Sequence, residues 1–428
     1  MKIGLYLQDY RQNFEKVFYD ALEAVKSAEL DLLVFPELCY TPFESDFYKN
    51  NILDENDKKR ACNRALKISE LAGCAVMIGG EDRRGMIYSV FANAHSKGNE
   101  TKTAIYLKHT MAGSSPLIFP DYNKKVNDYF KGISLKGKRL GMIICYDCNH
   151  AAFSRAYAKE GVDYIINLTG GNVVQTKWHR YNKVRAIENN CFNFCTMGYN
   201  DNGKENSYTF GFTPKGKLMT GVPLLKGLAI GNITVYDTDK ASNEFGYDIN
   251  IAQQATFNEK GNYIFDASNI KAILSRAENI AEGLYVLPNG KENLVICTIP
   301  GEDMLKPEKV LTLLYHEKLK KIFNKRYLIV NQWHGLDNSF YRTILSDILK
   351  VRSMENFCAV ILLSDNYTKC YQCGKNRTSQ VVAGENGKYD LDLDRMGGPE
   401  VIWRNKQGMK AIWRKEYESL IKYIDGIE

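Results

Sequence analysis

The chain reads as an α/β protein, and three observations carry that reading. Through roughly the first two-thirds of its 428 residues, short apolar runs alternate with amphipathic, helix-like segments, the pattern of strands layered against helices. Several runs are almost wholly apolar, residues 30–35 with Asp31 as the single exception among them, as strands covered on both faces are. Three runs end in a reactive side chain: Phe35-Pro36-Glu37, Tyr106-Leu107-Lys108 and Ile144-Cys145-Tyr146-Asp147.

The elements follow in order. Residues 3–7 form a short apolar strand. Phe14, Val17, Phe18, Ala21, Leu22, Val25 and Ala28 then share one face of a helical period. The strand 30–35 follows, and an amphipathic helix over 57–72 is closed by Gly73. Strands are expected at 74–78, 103–107 and 139–144, then a helix over 151–160 with Gly161 at its C-terminal cap. Strands at 162–168 and 191–197 flank a helix over 176–190. Residues 217–290 are rich in Gly, Asn, Asp and Lys and give no clear pattern. After a strand at 294–299, a new unit is expected from Lys306. It holds a lysine-rich helix over 307–323, a strand at 327–330, a helix near 340–350, a strand at 358–363 and a polar, turn-rich stretch over 365–405. The expected division is a first domain over 1–305, with 217–290 irregular or inserted, and an accessory domain over 306–428. No internal repeat or low-complexity tract is evident.

A hydrophobic share of 44% supports a sizeable core, and a charged share of 25% is ordinary for a globular chain. A net charge of +7 with lysines and acids interspersed points to a solvated surface, so nucleic acid is not an expected partner. No secretory leader opens the sequence and no apolar stretch reaches about 18 residues, so no membrane span is expected and the cytoplasm is the expected location. The 11 cysteines have no disulfide-framework spacing. Cys74, Cys191, Cys195, Cys297 and Cys358 sit in apolar runs, as small buried hydrophobes of a reducing compartment do. The single pair Cys370-x-x-Cys373 lacks a second pair or two spaced histidines, so no metal is expected.

A carboxylate, an ammonium and a thiol at three strand ends supply a base, a charge for an oxyanion and a nucleophile. That set can cut a carbon–nitrogen bond. A lone Cys in an apolar run is ordinarily core, a lone Lys surface and a lone Pro-Glu a solvated turn. The ordered combination is what favours chemistry. Cys145 ends a strand before a helix-like segment, where the backbone N–H of Tyr146 would point at a developing oxyanion. The three groups would titrate as a coupled set.

With these motifs the chain resembles the nitrilase (carbon–nitrogen hydrolase) superfamily over about residues 1–220. Glu37 in Val34-Phe35-Pro36-Glu37-Leu38 looks like the family's general base, Lys108 in Tyr106-Leu107-Lys108-His109 like its oxyanion-stabilising lysine, and Cys145 like its nucleophile. Arg155, Arg185-Ala186-Ile187-Glu188-Asn189 and Gly211-Phe212-Thr213-Pro214-Lys215-Gly216 are further matches. The resemblance implies a four-layer α-β-β-α sandwich, dimers or larger homo-oligomers, and hydrolysis through a Cys thioester with no metal or organic cofactor. The expected substrate is a small linear amide or carbamoyl compound, with a nitrile as the alternative. A sensor or assembly protein with little turnover is the reading of another class.

The sequence departs from the family in two places. Many members carry a second glutamate between the lysine and the cysteine, whereas here the span 109–144 has no Glu and only Asp121 and Asp128 as acids. Asp121 or Asp128 is the candidate replacement, Asp121 being the one placed at the site; the alternative is that both are loop acids in solvent. The segment after the nucleophile is Asp147-Cys148-Asn149-His150, in which His150 either lines the pocket or caps the next helix. Asn172 and Gln175, beyond Leu168-Thr169-Gly170-Gly171, are candidates for substrate hydrogen bonds, and Trp178 for a pocket wall.

Overall fold

The N-terminal strand β1 (Lys2–Asp9) is the middle of a 12-stranded sheet. The computed structural model describes residues 1–11, 14–25, 28–39, 55–81, 86–110, 129–170, 173, 175–199, 208–224, 232–246, 256–257, 261–374, 378–402 and 414–426. The chain separates into two units, Met1–Gly246 and Tyr247–Glu428.

In the first unit the sheet runs β5 (Thr103–Leu107), β4 (Ile87–Ala92), β3 (Ala75–Glu81), β2 (Leu32–Val34), β1, β9 (Phe192–Tyr199), β8 (Tyr164–Thr169), β7 (Lys138–Ile144) and β6 (Ile133–Leu135). Strands β10 (Phe210–Phe212), β11 (Val222–Pro223) and β12 (Asn232–Asp237) attach to β9, β12 and β1 respectively. β1 lies parallel to β2 (Ile3 opposite Leu32) and to β9 (Leu7 opposite Met197), and antiparallel to β12 (Lys2 opposite Asp237). The two halves of the sheet face one another, and Ser89 Oγ of β4 lies 3.7 Å from Met142 Sδ of β7.

Helices α1 (Phe14–Val25) and α2 (Glu55–Ala72) cover one half through Ala21, Ala24, Ala61, Ala65 and Ile68, which share a core with Leu33, Val76 and Val90. Helices α3 (Ala151–Lys159) and α4 (Gln175–Asn189) cover the other half against β7 and β9. This is the expected α-β-β-α layering. Small residues on α2 let it lie close to a sheet whose β-branched side chains fill the rest of the volume. Strands β4, β6, β10, β11 and β12 had not been read from the sequence.

The second unit has an eight-stranded sheet ordered β13 (Thr256–Phe257), β21 (Ser379–Val382), β20 (Thr368–Cys373), β19 (Ala359–Ser364), β18 (Lys325–Trp333), β17 (Glu292–Pro300), β16 (Leu284–Asn289) and β15 (Glu278–Ala281). Beside it stand β14 (Tyr263–Asp266), β23 (Lys388–Leu391) and β22 (Gly384–Glu385). Its α-helices of four residues or more are α5 (Ile270–Ser275), α6 (Pro307–Leu314), α7 (Ser346–Glu355), α8 (Pro399–Ile402) and α9 (Arg414–Asp425).

Three expectations need correction here. The break between units falls after Gly246, not at 305/306, because β17 pairs parallel with β18 from Asn293 to Pro300 and belongs to the second sheet. The lysine-rich helix stops at Leu314. The backbone at His316 is extended, and its Nδ1 accepts from Lys318 N at 3.3 Å, starting a separate 3₁₀ turn over Glu317–Lys321. The turn-rich stretch 365–405 contains β20 to β23. Lys309, Lys320 and Lys325 pair with Asp425, Glu418 and Glu400, so these lysines serve intramolecular pairs. Among the described residues no helix is long and apolar enough to cross a membrane.

Candidate active site

Cys145 follows β7 directly and opens a 3₁₀ turn over Cys145–Asn149. Its φ of 48° is left-handed, rare for a residue with a Cβ. The turn is held by Asp147, which accepts from Ile144 N at 3.2 Å, Tyr106 Oη at 2.9 Å and Thr110 Oγ1 at 2.7 Å. A side chain forced off the strand in this way presents its sulfur at the strand's carboxyl end, at some cost in backbone strain.

Glu37 follows β2 at a turn where Leu38 is also left-handed, at φ 61°. Lys108 follows β5. Their side chains are 5% and 4% exposed, and Lys108 Nζ lies 2.6 Å from Glu37 Oε1. The second carboxylate oxygen, Oε2, accepts from the backbone N–H of Gly170 at 2.8 Å. The hydroxyl of Tyr10 donates to the Glu37 carbonyl. The Glu37 carboxylate is near enough to the Cys145 thiol to raise its pKa. Glu37, Lys108 and Cys145 therefore lie in one buried cluster.

Burial pushes the Cys145 thiol well above its ordinary range, Glu37 pushes it further, and Lys108 only partly opposes them, so the resting sulfur carries its proton. For Lys108, burial acts to lower the pKa, but the Glu37 carboxylate, Cys145 and Asp147 more than offset it and the ammonium stays charged. Burial raises Asp147 to about 6, with Lys108 and the hydroxyls of Thr110 and Tyr106 pulling the other way.

The remaining expected residues divide. Tyr146 is buried beside Cys145, and its ring meets His150 edge-on at 5.5 Å. His150 stands at the N-cap position of α3, but its side chain makes no cap hydrogen bond. Asn172, Asp121 and Asp128 lie outside the described residues. Trp178 Nε1 donates to Thr169 Oγ1 at 3.2 Å, which ties α4 to β8. Cys148 is wholly buried and its thiol is pushed up by burial. Arg185 and Glu188, both at 0% side-chain exposure, pair at 2.5 Å, and Arg185 Nε donates to the Cys148 carbonyl at 2.9 Å. That pair braces the turn from behind. Cys370 and Cys373 are buried within β20, where positions three apart point to opposite faces. Among the described residues no cluster of His, Cys, Asp or Glu is arranged to hold a metal.

Sequence reasoning missed Tyr10, Thr110, Gly170 and the structural part played by Asp147. Gly170 had a signal: it follows a strand, and an added Cβ would sit 2.9 Å from Glu37 Oε2. Tyr10 had none, since it meets Glu37 only once β1 and β2 pair.

The family described as carbon-nitrogen hydrolase matches residues 3–241. A curated relative from Pseudomonas protegens, "Hydrolase in pqqF 5'region", is 26% identical over 213 residues, 46% of this chain and 70% of that protein. Solved structures similar to this chain include amidases of Nesterenkonia. One, from Nesterenkonia sp. AN1, has 19% identity and a TM-score of 0.43 and covers 55% of this chain and 92% of its own. Another, from Nesterenkonia sp., has 19% identity and a TM-score of 0.42, covering 55% and 89%.

Proposed function

The chain belongs to the carbon–nitrogen hydrolase family, and from that premise we propose that it cleaves a small linear amide or carbamoyl compound through a thioester on Cys145. The observation that carries this reading is the buried contact of Lys108 with Glu37 at 2.6 Å, with the Cys145 thiol close enough to feel both charges.

The chemistry follows from charge conservation in a dry site. At rest the Lys108 ammonium lies against Glu37, and the thiol is neutral. As sulfur attacks the carbonyl carbon, its proton passes to Glu37, and the negative charge moves from Glu37 to the carbonyl oxygen. Lys108 and the backbone N–H of Tyr146 face that charge, so the ammonium is compensated before and after attack. Collapse expels ammonia or an amine carrying the proton from Glu37. Water, activated by Glu37, then hydrolyses the thioester and restores the thiol. Tyr10 and Gly170 fix the base; their role is positioning. Self-association into dimers or larger homo-oligomers belongs to the same proposal, and sedimentation velocity tests it.

The deciding experiment is intact-protein mass spectrometry after quenching with a panel of amides and nitriles, with ammonia release measured in parallel. We expect one acyl adduct on Cys145 with amides and none in Cys145→Ala. Ammonia release undiminished in Cys145→Ala, or no release from any amide, would sink the reading.

A further inference from the structure

We propose that the segment from β16 to β20, Leu284–Cys373, is a second, non-catalytic copy of the half-fold β6 to β10, Ile133–Phe212, with Gly301 standing where Cys145 stands. The repeat itself is independent of the reaction; its non-catalytic character rests on reading Cys145 as the nucleophile.

The correspondence is positional. Each copy opens with an antiparallel hairpin, β6–β7 and β16–β17. Each continues with three parallel strands, β7, β8, β9 and β17, β18, β19. Each first parallel strand ends in a five-residue 3₁₀ turn, Cys145–Asn149 or Gly301–Leu305, whose first residue has a positive φ of 48° or 28°. Asp147 and Asp303 are each third in the turn, and each accepts the cap N–H, from His150 or Lys306, at 3.0 Å. A helix follows at once, α3 or α6.

The later elements agree in register. Asn167 and Asn331, both fully buried, stand opposite Ile143 and Ile299, two residues before each turn. The following helices carry Arg185-Ala186-Ile187-Glu188-Asn189 and Arg352-Ser353-Met354-Glu355-Asn356. In both, the buried arginine pairs with its glutamate, at 2.5 Å and 2.6 Å. In both, the asparagine amide donates to the arginine carbonyl, at 2.9 Å and 3.0 Å. In both, the arginine also reaches the fourth carbonyl of the turn: Cys148 at 2.9 Å, Met304 at 3.4 Å. A left-handed residue, Asn190 or Phe357, then precedes Cys191 or Cys358. Asn167 faces Cys195, and Asn331 faces Leu362, each ten residues past its arginine. No single one of these coincidences is improbable. Their agreement in one register is not expected of unrelated sheets.

What the copy lacks decides its role. Gly301 has no side chain to react, and Cys297, four residues earlier, is buried within β17. In the first unit, β9 continues beyond β10 and pairs parallel with β1, joining the half that carries Glu37 and Lys108. Among the described residues β19 has no such parallel partner, because β20 turns back and occupies that edge. The buried Arg352–Glu355 pair is retained to brace a turn that no longer holds a nucleophile.

Hydrogen exchange of the full chain tests the correspondence without reference to activity. We expect Arg352→Met, and the milder Arg352→Lys should the first not fold, to raise exchange at least tenfold in residues 301–305, and Arg185→Met to do the same in 145–149. Unchanged exchange in 301–305 would overturn the repeat. A second arm places Gly301→Cys in a Cys145→Ala background, since an added Cβ meets nothing nearer than the Gln332 carbonyl at 4.0 Å. Iodoacetamide should modify residue 301 and amide hydrolysis should stay absent. An unmodified residue 301 would overturn the elbow, and restored hydrolysis the non-catalytic assignment. A wild-type chain that hydrolyses nothing defeats the proposed function while leaving the exchange result standing.

Discussion

The backbone N–H of Gly170 donates to Glu37 Oε2 at 2.8 Å, joining the end of β8 to the end of β2 across the middle of the sheet. The bond leaves Oε1 to Lys108 and fixes the plane of the carboxylate. A methyl group at position 170 would sit 2.9 Å from that oxygen. Gly170→Ala is therefore expected to lower kcat roughly 10- to 100-fold, since a displacement of about 1 Å in a catalytic group costs on that order. Circular dichroism should show an unchanged fold; an unchanged kcat would show that Glu37 needs no such fixing.

Lys108 and Glu37 are a buried pair, so removing one leaves the other uncompensated. Lys108→Met and Glu37→Gln should each lower unfolding stability by about 3–5 kcal/mol. The double variant should lose less than the sum of the two. Urea unfolding of all four proteins gives the coupling directly; additive losses would mean that the two groups do not sense each other. Both single variants should also lose turnover by three orders of magnitude or more.

Asp147 makes a pH prediction. Its carboxyl is raised from 3.8 to about 6, chiefly by burial. Between those values the folded chain holds a proton that the unfolded chain has released. This group's contribution to stability is thus full below the lower value and is lost as pH rises through about 6. In Asp147→Asn that component vanishes. The stability of wild type minus that of Asp147→Asn should fall between roughly pH 4 and pH 6; a flat difference would place Asp147 in water.

Alkylation separates the cysteines. Cys39 and Cys148 are fully buried, Cys145 is 7% exposed, and Cys62 is more open than any of them. Iodoacetamide mapped by peptide mass spectrometry should label Cys62 first, Cys145 next and slowly because its thiol is protonated, and Cys39 and Cys148 last. Faster labelling of Cys148 than of Cys145 would remove the nucleophile assignment.

Much of the first unit was legible because its signals are local. Mostly apolar runs gave β2, β3 and β8, and helical periodicity gave α1 and α2. The site was legible because all three reactive groups end strands. The part that escaped depends on tertiary pairing. β12 lies in a stretch with no clear sequence pattern, and it is placed by antiparallel pairing with β1 and β11. Tyr10 reaches Glu37 through space, with no spacing rule to announce it. The boundary at Gly246 was missed because β17 and β18, the parallel pair that builds the second sheet, were assigned to different domains. The paired Arg-x-x-Glu-Asn segments were visible in the sequence, but two five-residue matches 167 positions apart acquire meaning only once strand registers align them.

The placement of β1 between β2 and β9 also governs the order of assembly. Leu7 cannot find Met197 until nearly 200 residues have been made. A chain emerging from the ribosome holds the base and the amine for a long interval before the strand that closes the sheet arrives. Such late, long-range closure slows folding and leaves strand edges open to neighbouring nascent chains. Arrested translation products ending short of β9 should accordingly be protease-sensitive and bound by chaperones, and release from that state should coincide with the synthesis of residues 192–199.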